Sequence, residues 1–180
     1  PELQHRPMIK SVWVGLEKFL VPKVDGAYTV CDSIAQLYNK KYHKHFAVVR
    51  NLPLSQRLAV SEKAISDPRF KLVYQGAVNL GRGIFETLEA IKLLDDVVFI
   101  IIGDGDEMAS VKQFVDEHQL HSKVMILGKI PFDKLAAYTQ SADVGMCLLE
   151  NIGLNYYYSL PNRIFDFALA GVPVLASNFP

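Results

Sequence analysis

The 180-residue sequence contains few cysteines, no excess of either charge and no long apolar run. Its two cysteines, Cys31 and Cys147, lie far apart in apolar surroundings, which excludes a disulfide-stapled scaffold and favours reduced thiols packed in a core. Nineteen basic residues balance nineteen acidic ones, so the net charge does not favour nucleic acid or an anionic membrane as a partner. No apolar run approaches the ~20 residues of a membrane-spanning helix. We therefore expect a soluble, cytoplasmic protein without a transmembrane segment.

Three further features are missing from the sequence. It has no initiating Met, and its first residues lack a signal-peptide core. It also has no Gly-Lys-Ser/Thr phosphate loop, which argues against a P-loop nucleotidase. Because the chain ends at Pro180 directly after an apolar segment, we expect a piece of a longer protein with part of its machinery absent.

The first fifty residues have the pattern of a small α/β segment. The pattern predicts a helix over 8–21, a strand at 26–30, a helix over 34–42 and a strand at 46–49. Asp32 or Ser33 is the expected N-cap of the second helix. A residue before Pro is disfavoured in helical geometry, so Asn51, Leu52 and Pro53 predict a turn. We place an interdomain linker at 51–54.

After residue 70, continuous apolar runs alternate with amphipathic segments. The runs predict buried strands at 72–74, 97–102, 124–127, 144–148 and 172–175. The segments between them predict helices over 83–94, 107–118, 132–141 and 162–170. Strict alternation with right-handed crossovers indicates a doubly wound parallel sheet, a Rossmann-like α/β domain over 55–180 with strand order 3-2-1-4-5.

Such sheets bind ligands at the carboxyl ends of the strands where strand order reverses, here between the first and fourth strands. The loops 76–83 and 149–161 should therefore face each other. The first loop is rich in glycine and carries Arg82, and the second leads through Pro161, expected in a first helical turn, to Arg163. Two helix N-termini and two arginines at one crevice indicate a diphosphate site. Taken alone, the segment 81–83 is as consistent with a tight turn that carries a solvated arginine as with a phosphate-binding loop.

An acidic segment after the second strand has two possible interpretations. Residues 103–108 resemble a dinucleotide fingerprint, but the position is wrong and Met108 replaces the third glycine, so we reject a nicotinamide site. Asp104, Asp106 and Glu107 precede a helix, where we expect capping rather than metal binding.

The histidines give no clear metal site. His43 and His45 are expected on one strand face without a third ligand nearby, and His118 and His121 follow the polar end of a helix. Zinc sites normally have three or four protein ligands, so solvated surface positions are favoured.

Five motifs together resemble the C-terminal donor domain of family 4 (group 1) glycosyltransferases, which are retaining, metal-independent enzymes of the GT-B fold. They lie, in order, at 75–83, 102–105, 126–128, 135–144 and 159–177. The order of the motifs is more specific than any one of them, and the resemblance extends from about residue 24 to 177.

The resemblance assigns the domains. Residues 1–50 look like the tail of the N-terminal, acceptor-side domain, and residues 55–180 look like the donor domain, truncated at its C-terminus. Most of the acceptor domain would then be missing. We expect this fragment to bind a donor nucleotide weakly and to transfer nothing alone, with peripheral membrane association, if any, arising from the missing domain.

The resemblance also implies roles for individual residues. Arg82 replaces a diphosphate-binding lysine, Arg163 supports it, and Asp166 aligns with an acid that holds the ribose hydroxyls; these three are the implied catalytic residues. The implied donor-binding residues are Gly76, Ala77, Asn79, Gly81, Gly103, Gly105, Ile126, Gly128, Tyr158, Ser159 and Asn162.

Two positions depart from the family pattern. Ala77 stands where many members have a second cation, and Tyr158 stands where they have the first of two acids. Contacts with the donor sugar would then come from Tyr157, Tyr158, Ser159 or backbone N–H groups.

The resemblance implies front-face transfer of a hexosyl group from a nucleotide-diphosphate sugar to a hydroxyl group of a sugar or lipid-linked acceptor. It also implies that the reaction needs no metal or other cofactor and that it serves polysaccharide biosynthesis. Two alternatives remain. A GT-B-fold nucleotide-sugar epimerase needs carboxylates near the sugar, which Tyr158 does not supply. A non-catalytic nucleotide-binding domain of the same fold is favoured by Ala77 and Tyr158.

Overall fold

A computed structural model describes residues 7–52 and 63–180. The helices are α1 (Pro7–Leu20), α2 (Asp32–Tyr42), α3 (Ile84–Lys92), α4 (Met108–Glu117), α5 (Phe132–Thr139), α6 (Leu154–Tyr157) and α7 (Asn162–Leu169). The strands are β1 (Ala27–Thr29), β2 (Phe46–Val48), β3 (Phe70–Gln75), β4 (Val97–Ile102), β5 (Val124–Gly128), β6 (Val144–Cys147) and β7 (Val174–Ala176), and a 3-10 turn at Val21–Lys23 follows α1. Apart from α6, each of these helices and strands is predicted by the sequence, with ends that differ by a few residues.

The chain divides into two compact units. Unit 1 is Pro1–Leu52, Asn151–Leu160 and Phe179–Pro180, and unit 2 is Pro53–Glu150 and Pro161–Asn178. The second half of the linker predicted at 51–54 lies outside the described residues.

Unit 1 contains a small parallel sheet in which β1 pairs with β2. Cys31, not Asp32 or Ser33, occupies the N-cap position of α2, and no described side chain caps this helix. His43 ends α2 with a left-handed backbone at φ 50°, so His43 and His45 precede β2 instead of sharing a strand face as predicted. No helix within residues 7–52 and 63–180 is long and apolar enough to cross a membrane.

Unit 2 is built on a five-stranded sheet in the order β5-β4-β3-β6-β7, with every pair parallel. Counted from β3, this is the predicted order 3-2-1-4-5, and the order reverses between β3 and β6. The last strand starts two residues later than predicted. The reason is that the Val172 N–H donates to Phe167 O at 2.9 Å, which closes the end of α7 before the strand begins.

Two apolar layers cover the sheet of unit 2. One layer contains Tyr74 together with side chains of α3 and α4, and the other contains Val73 together with side chains of α5 and α7. Successive side chains of a strand point to opposite faces, so Gln75, two residues after Val73, belongs to the face of α5 and α7. Both cysteines are free and buried, which confirms the prediction of packed thiols.

Candidate functional site

The reversal point of the sheet brings two loops together at the carboxyl ends of β3 and β6. The Glu150 N–H donates to Gly81 O at 3.1 Å, so the loop after β3 contacts the start of the loop after β6, as predicted. The remainder of that second loop, Asn151–Leu160, belongs to unit 1, and Pro161 belongs to unit 2. The site described below therefore consists of unit 2 residues.

Arg163 is the central charge of this edge. It lies in the first turn of α7, it is 9% exposed, and its guanidinium carbon is 4.4 Å from the centre of the Tyr74 ring. A Cβ atom at Gly76 would be 3.1 Å from Arg163 Nη2. Nη1 is buried and has no hydrogen-bond partner among the described residues. A buried donor without a partner is costly, so Nη1 is a candidate hydrogen-bond donor to a ligand.

The helix that carries Arg163 begins at Asn162, as predicted, but Pro161 lies outside it. Pro161 has an extended backbone and occupies the N-cap position, so the prediction that it lies in the first helical turn is wrong. Asn162 is the first helical residue and is exposed, and no described side chain caps α7. Gly171 follows the helix with a left-handed backbone at φ 71°. The positive end of the α7 dipole thus adds to the charge of Arg163.

Arg82 and Arg163, predicted to converge, both act electrostatically on Cys147 at the end of β6. Burial raises the pKa of the Cys147 thiol, and the charges of Arg163 and Arg82 oppose this shift without reversing it. The thiol is therefore neutral and contributes no negative charge beside the two arginines. Arg82 itself is half-buried, one residue before Gly83, the N-cap of α3.

The loop after β3 needs glycines because its backbone is closely packed. Gly76, Gly81 and Gly83 have φ values of 131°, 78° and 65°. A Cβ atom at Gly83 would be 2.6 Å from Leu148 Cβ, so α3 can begin against β6 only without a side chain there. Ala77 is exposed in this loop, and its carbonyl accepts a hydrogen bond from the Tyr74 hydroxyl.

The loop after β4 is fastened to the loop after β3. The Val78 N–H donates to Asp104 O at 3.1 Å, and Asn79 Oδ1 accepts the Asp106 N–H at 3.2 Å. Built Cβ atoms at Gly103 and Gly105 would lie 1.9 Å from Gly76 O and 2.4 Å from Val78 O. The Asn79 side chain therefore holds the loop after β3 and the loop after β4 together.

The prediction that the acidic segment caps α4 is wrong. Glu107 occupies the N-cap position, but no described side chain caps the helix there. Asp104 instead accepts the N–H of its neighbour Gly105 at 2.9 Å, because a short carboxylate reaches its own adjacent amide more easily than the next helical turn. Its other oxygen is 3.5 Å from Lys129 Nζ.

A cleft of about 460 Å³ opens between the loops that follow β4 and β5. Its lining residues are Gly103, Asp104, Met108, Lys112, Ile126, Leu127, Gly128 and Lys129. The predicted donor-binding residues Gly103, Ile126 and Gly128 are among them. Met108 and Lys112 are not predicted by sequence reasoning, although their spacing of four places both on one face of α4.

Asp166 lies one helical turn after Arg163 on α7. Burial raises the pKa of its carboxyl group, while a hydrogen bond from Gln75 and the charge of Arg163 lower it in part. Gln75 Nε2 donates to Asp166 Oδ2 at 3.2 Å. Gln75 begins the motif at 75–83, but sequence reasoning gave it no role; the available signal was a polar residue at the end of an apolar strand.

Tyr158 and Ser159 belong to unit 1, whereas every other predicted donor-binding residue belongs to unit 2. The Tyr157 and Tyr158 rings meet edge to face at 4.9 Å, and Ser159 Oγ donates to Tyr156 O at 2.9 Å. The Cys31 thiol donates to Tyr158 O at 3.2 Å, which fastens this segment within unit 1.

Within residues 7–52 and 63–180, no three His, Cys, Asp or Glu side chains are grouped so that they could hold a metal ion. His118 ends α4, with its ring stacked on Phe114 at 4.0 Å, and His121 lies 3.3 Å from Asp116.

One protein family and one curated relative match parts of this sequence. The sequence pattern of the family "Glycosyl transferases group 1" matches residues 69–180. The GPI3 subunit of phosphatidylinositol N-acetylglucosaminyltransferase from Saccharomyces cerevisiae is 32% identical over 50 residues, which are 28% of this chain and 11% of that protein. The chain therefore matches about a tenth of this curated relative.

Solved structures match far more of the chain at low identity. Sucrose-phosphate synthase from Thermosynechococcus elongatus has a TM-score of 0.68 and 18% identity, covering 94% of this chain and 44% of that one. The pneumococcal O-GlcNAc transferase GtfA, solved with UDP and GlcNAc, has a TM-score of 0.63 and 16% identity, covering 89% and 31%. A variant of S. aureus TarM, solved with fondaparinux, alpha-GlcNAc-glycerol and UDP, has a TM-score of 0.63 and 14% identity, covering 91% and 32%.

These structural likenesses show the fold, and the chain spans only about a third of GtfA and TarM. The family pattern covers the whole described sheet of unit 2, from the residue before β3 to the end of the chain. The chain therefore belongs to the group 1 glycosyl transferases, and its five-stranded parallel sheet is the Rossmann-like sheet of the GT-B fold.

Proposed function

We propose that this chain supplies the donor-binding half of a retaining glycosyltransferase and holds the diphosphate of a nucleotide sugar at Arg163. The observation that carries the proposal is the buried Nη1 of Arg163, which has no hydrogen-bond partner in the described part of the chain. A phosphate oxygen would complete this guanidinium, and the start of α7 adds a second source of positive potential. Gly76 leaves room for the approach, since a side chain there would contact Nη2.

UDP is the first nucleotide to test. GtfA and TarM were both solved with UDP. We assign the nucleobase to the cleft between the loops after β4 and β5, which Gly103 and Gly128 line, and the ribose hydroxyls to Asp166. Backbone contacts with a base need no particular side chain, which accounts for the weak sequence signal of this cleft.

The proposed reaction is transfer on the front face of the sugar. The bond from the anomeric carbon to the phosphate oxygen breaks, and the acceptor hydroxyl attacks the anomeric carbon from the same face. The departing phosphate takes the proton of the acceptor hydroxyl. Arg82, Arg163 and the N-termini of α3 and α7 stabilise the negative charge that develops on the diphosphate. These groups do the work that a metal ion does in other transferases, so we propose that no metal or other cofactor is needed.

The acceptor side of the enzyme lies outside this chain in the proposal. The chain matches about a third of GtfA and of TarM, so contacts with a sugar or lipid-linked acceptor would come from further polypeptide. We propose a hexosyl donor and a cytoplasmic role in polysaccharide synthesis. By itself the chain is expected to bind nucleotide without transfer.

The proposal is tested by an NMR titration of this chain with UDP, GDP, ADP and CMP. We expect one diphosphate to shift the amide signals of residues 76–83 and of residues around Gly103 and Gly128. CMP, with one phosphate, serves as the weak control. Shifts confined to unit 1, or none with any nucleotide at millimolar concentration, would contradict the proposal.

A pH dependence follows from Asp166. Ribose hydroxyls donate to the ionised carboxylate, so binding favours the deprotonated form. Because burial raises the pKa of Asp166, protonation begins at a higher pH than for an ordinary aspartate. The affinity difference between UDP and 2′,3′-dideoxy-UDP should therefore be full in mildly alkaline buffer and shrink as the pH falls into the acidic range.

Asp166→Asn is the matched control for this dependence, because the amide does not titrate. The variant should show a small, pH-independent difference between the two nucleotides by calorimetry. The free protein should behave oppositely: its stability falls as the pH rises through the raised pKa, since ionisation of buried Asp166 is unfavourable. In the unmodified protein, a difference that stays constant over the whole acidic range in which the protein remains folded would contradict the role given to Asp166.

A further inference from the structure

Two buried polar side chains, Gln75 and Thr139, are linked to Asp166 by hydrogen bonds. Gln75 is 4% exposed and Thr139 is 3% exposed. Thr139 Oγ1 donates to Gln75 Oε1 at 2.9 Å, and Gln75 Nε2 donates to Asp166 Oδ2 at 3.2 Å. Three elements, α5, β3 and α7, are thereby linked side chain to side chain at the carboxyl edge of the sheet.

The direction of this chain of hydrogen bonds is fixed by its chemistry. An ionised carboxylate only accepts, so the amide nitrogen of Gln75 must face Asp166. The amide oxygen then faces Thr139, whose hydroxyl is the donor. Leu135 O, 3.0 Å from Thr139 Oγ1, is a second acceptor for the single hydrogen of this hydroxyl. Thr139 therefore holds the amide in the orientation that Asp166 requires.

Packing alone does not explain a glutamine at this position. Val73, on the same strand face, and Phe167 on α7 are fully buried apolar residues. A methionine or leucine at position 75 would continue this layer without the desolvation of an amide. The polar pair instead occurs where the layer reaches the ligand-binding edge and next to the one carboxylate assigned to the ligand.

We propose that Gln75, oriented by Thr139, is a positioning residue that aims the Asp166 carboxylate at the ribose of the nucleotide. The hydrogen bond from Gln75 to Asp166 Oδ2 fixes the rotation of the carboxylate. Asp166 Oδ1 is then oriented to accept hydrogen bonds from the ribose hydroxyls. The inference rests on the proposed function, because it takes the ligand to be a ribonucleotide. Gln75 contacts Asp166 and not the nucleotide, so its effect should appear only when ribose hydroxyls are present.

The test compares UDP with 2′,3′-dideoxy-UDP by calorimetry on the 180-residue protein and on Gln75→Met. Hydrogen bonds to a charged group are worth about 1.5–3 kcal/mol, so the unmodified protein should prefer UDP by about 10- to 100-fold. Gln75→Met should reduce that preference to about threefold or less. Its affinity for dideoxy-UDP should stay within about twofold of the original value, because the diphosphate contacts are intact.

A second pair of variants covers the case in which Gln75→Met does not fold. Thr139→Val removes the hydroxyl at nearly constant volume, and Thr139→Ser keeps it. We expect Thr139→Val to lower the preference for UDP about threefold or more and Thr139→Ser to retain it. Loss of packing would instead weaken both nucleotides equally.

The outcomes separate the inference from the function on which it rests. If folded Gln75→Met and Thr139→Val both keep the full preference for UDP, the positioning role is wrong and the proposed function stands. If the unmodified protein binds UDP and dideoxy-UDP equally, the ribose role of Asp166 and the positioning role both fail, although diphosphate binding stands. If it binds neither nucleotide, the proposed function fails as well.

Discussion

Arg163→Met is expected to weaken UDP binding by about 100-fold or more while leaving the free protein at least as stable. Truncating one partner of a buried, hydrogen-bonded charge pair costs about 2–5 kcal/mol, which is about 30-fold to several thousandfold in affinity. Arg163 is nine-tenths buried and its Nη1 has no partner among the described residues, so a bound phosphate would be such a partner. Isothermal titration with UDP measures the loss.

The stability part of this prediction has a separate cause. A buried donor without a partner costs about 1–3 kcal/mol in the free protein, and Met removes it. A methionine thioether can also pack on the Tyr74 ring that Arg163 covers at 4.4 Å. The melting temperature should therefore stay constant or rise by about 2–4 °C. A variant that is at least as stable as the unmodified protein but binds UDP more weakly indicates that the replaced residue serves binding and not folding.

Arg69→Met is the matched control at the opposite, amino-terminal edge of the sheet. Arg69 Nη2 is 2.8 Å from Asp67 Oδ2, and Arg69 Nη1 donates to Ser122 O at 2.6 Å. We expect this variant to lose some stability and to bind UDP as the unmodified protein does. Arg163→Met that binds UDP within about threefold of the original affinity would contradict the diphosphate role.

Gly103→Ala is expected to destabilise unit 2 by about 3 kcal/mol or more and to abolish nucleotide binding. A Cβ atom at Gly103 would be 1.9 Å from the carbonyl oxygen of Gly76, and the residue has φ 137°. The obstruction is backbone at the end of β3, so no side-chain rotation relieves it. The loop that faces Arg163 would have to move together with the strand that carries it.

Gly128→Ala and Gly105→Ala separate the two causes of the destabilisation, which are backbone strain at positive φ and steric overlap of the new Cβ atom. Gly128 has φ 69° but open space around its Cβ position, so only strain of about 1–2 kcal/mol is expected. Gly105 has no unusual φ, but a Cβ would meet Val78 O at 2.4 Å. Urea unfolding should rank Gly103→Ala as the most destabilising, Gly105→Ala next and Gly128→Ala last. Equal losses for Gly103→Ala and Gly128→Ala would contradict the close loop contact.

Much of the fold could be predicted because it depends on patterns that are local in sequence. Apolar runs buried on both faces identify the strands of unit 2, and right-handed crossovers leave few arrangements for them. The observed order therefore agrees with the predicted one. Strand ends were less predictable, since β7 begins late only because Val172 closes the preceding helix.

The convergence of the two loops could be predicted for the same topological reason. Strand order reverses between β3 and β6, so the loops that follow them must be neighbours. The behaviour of Arg163 could not be predicted, because its stacking on Tyr74 depends on the packing of α7 against the sheet. The link between Gln75 and Thr139 was missed because they are 64 positions apart in the sequence and only the packing of α5 on the sheet brings them together.

Capping was the least reliable part of the sequence reasoning. Asp32, Ser33, Asp104, Asp106 and Glu107 all have suitable side chains close to a helix start, and no described side chain caps α2 or α4. The side chain of Asp104 bonds to the adjacent amide instead. A cap requires a particular rotamer and backbone angle at one residue, which composition does not determine.

The central claim is that Arg163 holds a diphosphate, and the most direct measurement is the affinity ratio of UDP to UMP in the unmodified protein and in Arg163→Met. Both nucleotides share base, ribose and one phosphate, so the ratio isolates the second phosphate. We predict that the unmodified protein prefers UDP by about 30-fold or more and that Arg163→Met lowers this preference to about threefold or less. A preference for UDP that survives unchanged in Arg163→Met would contradict the claim.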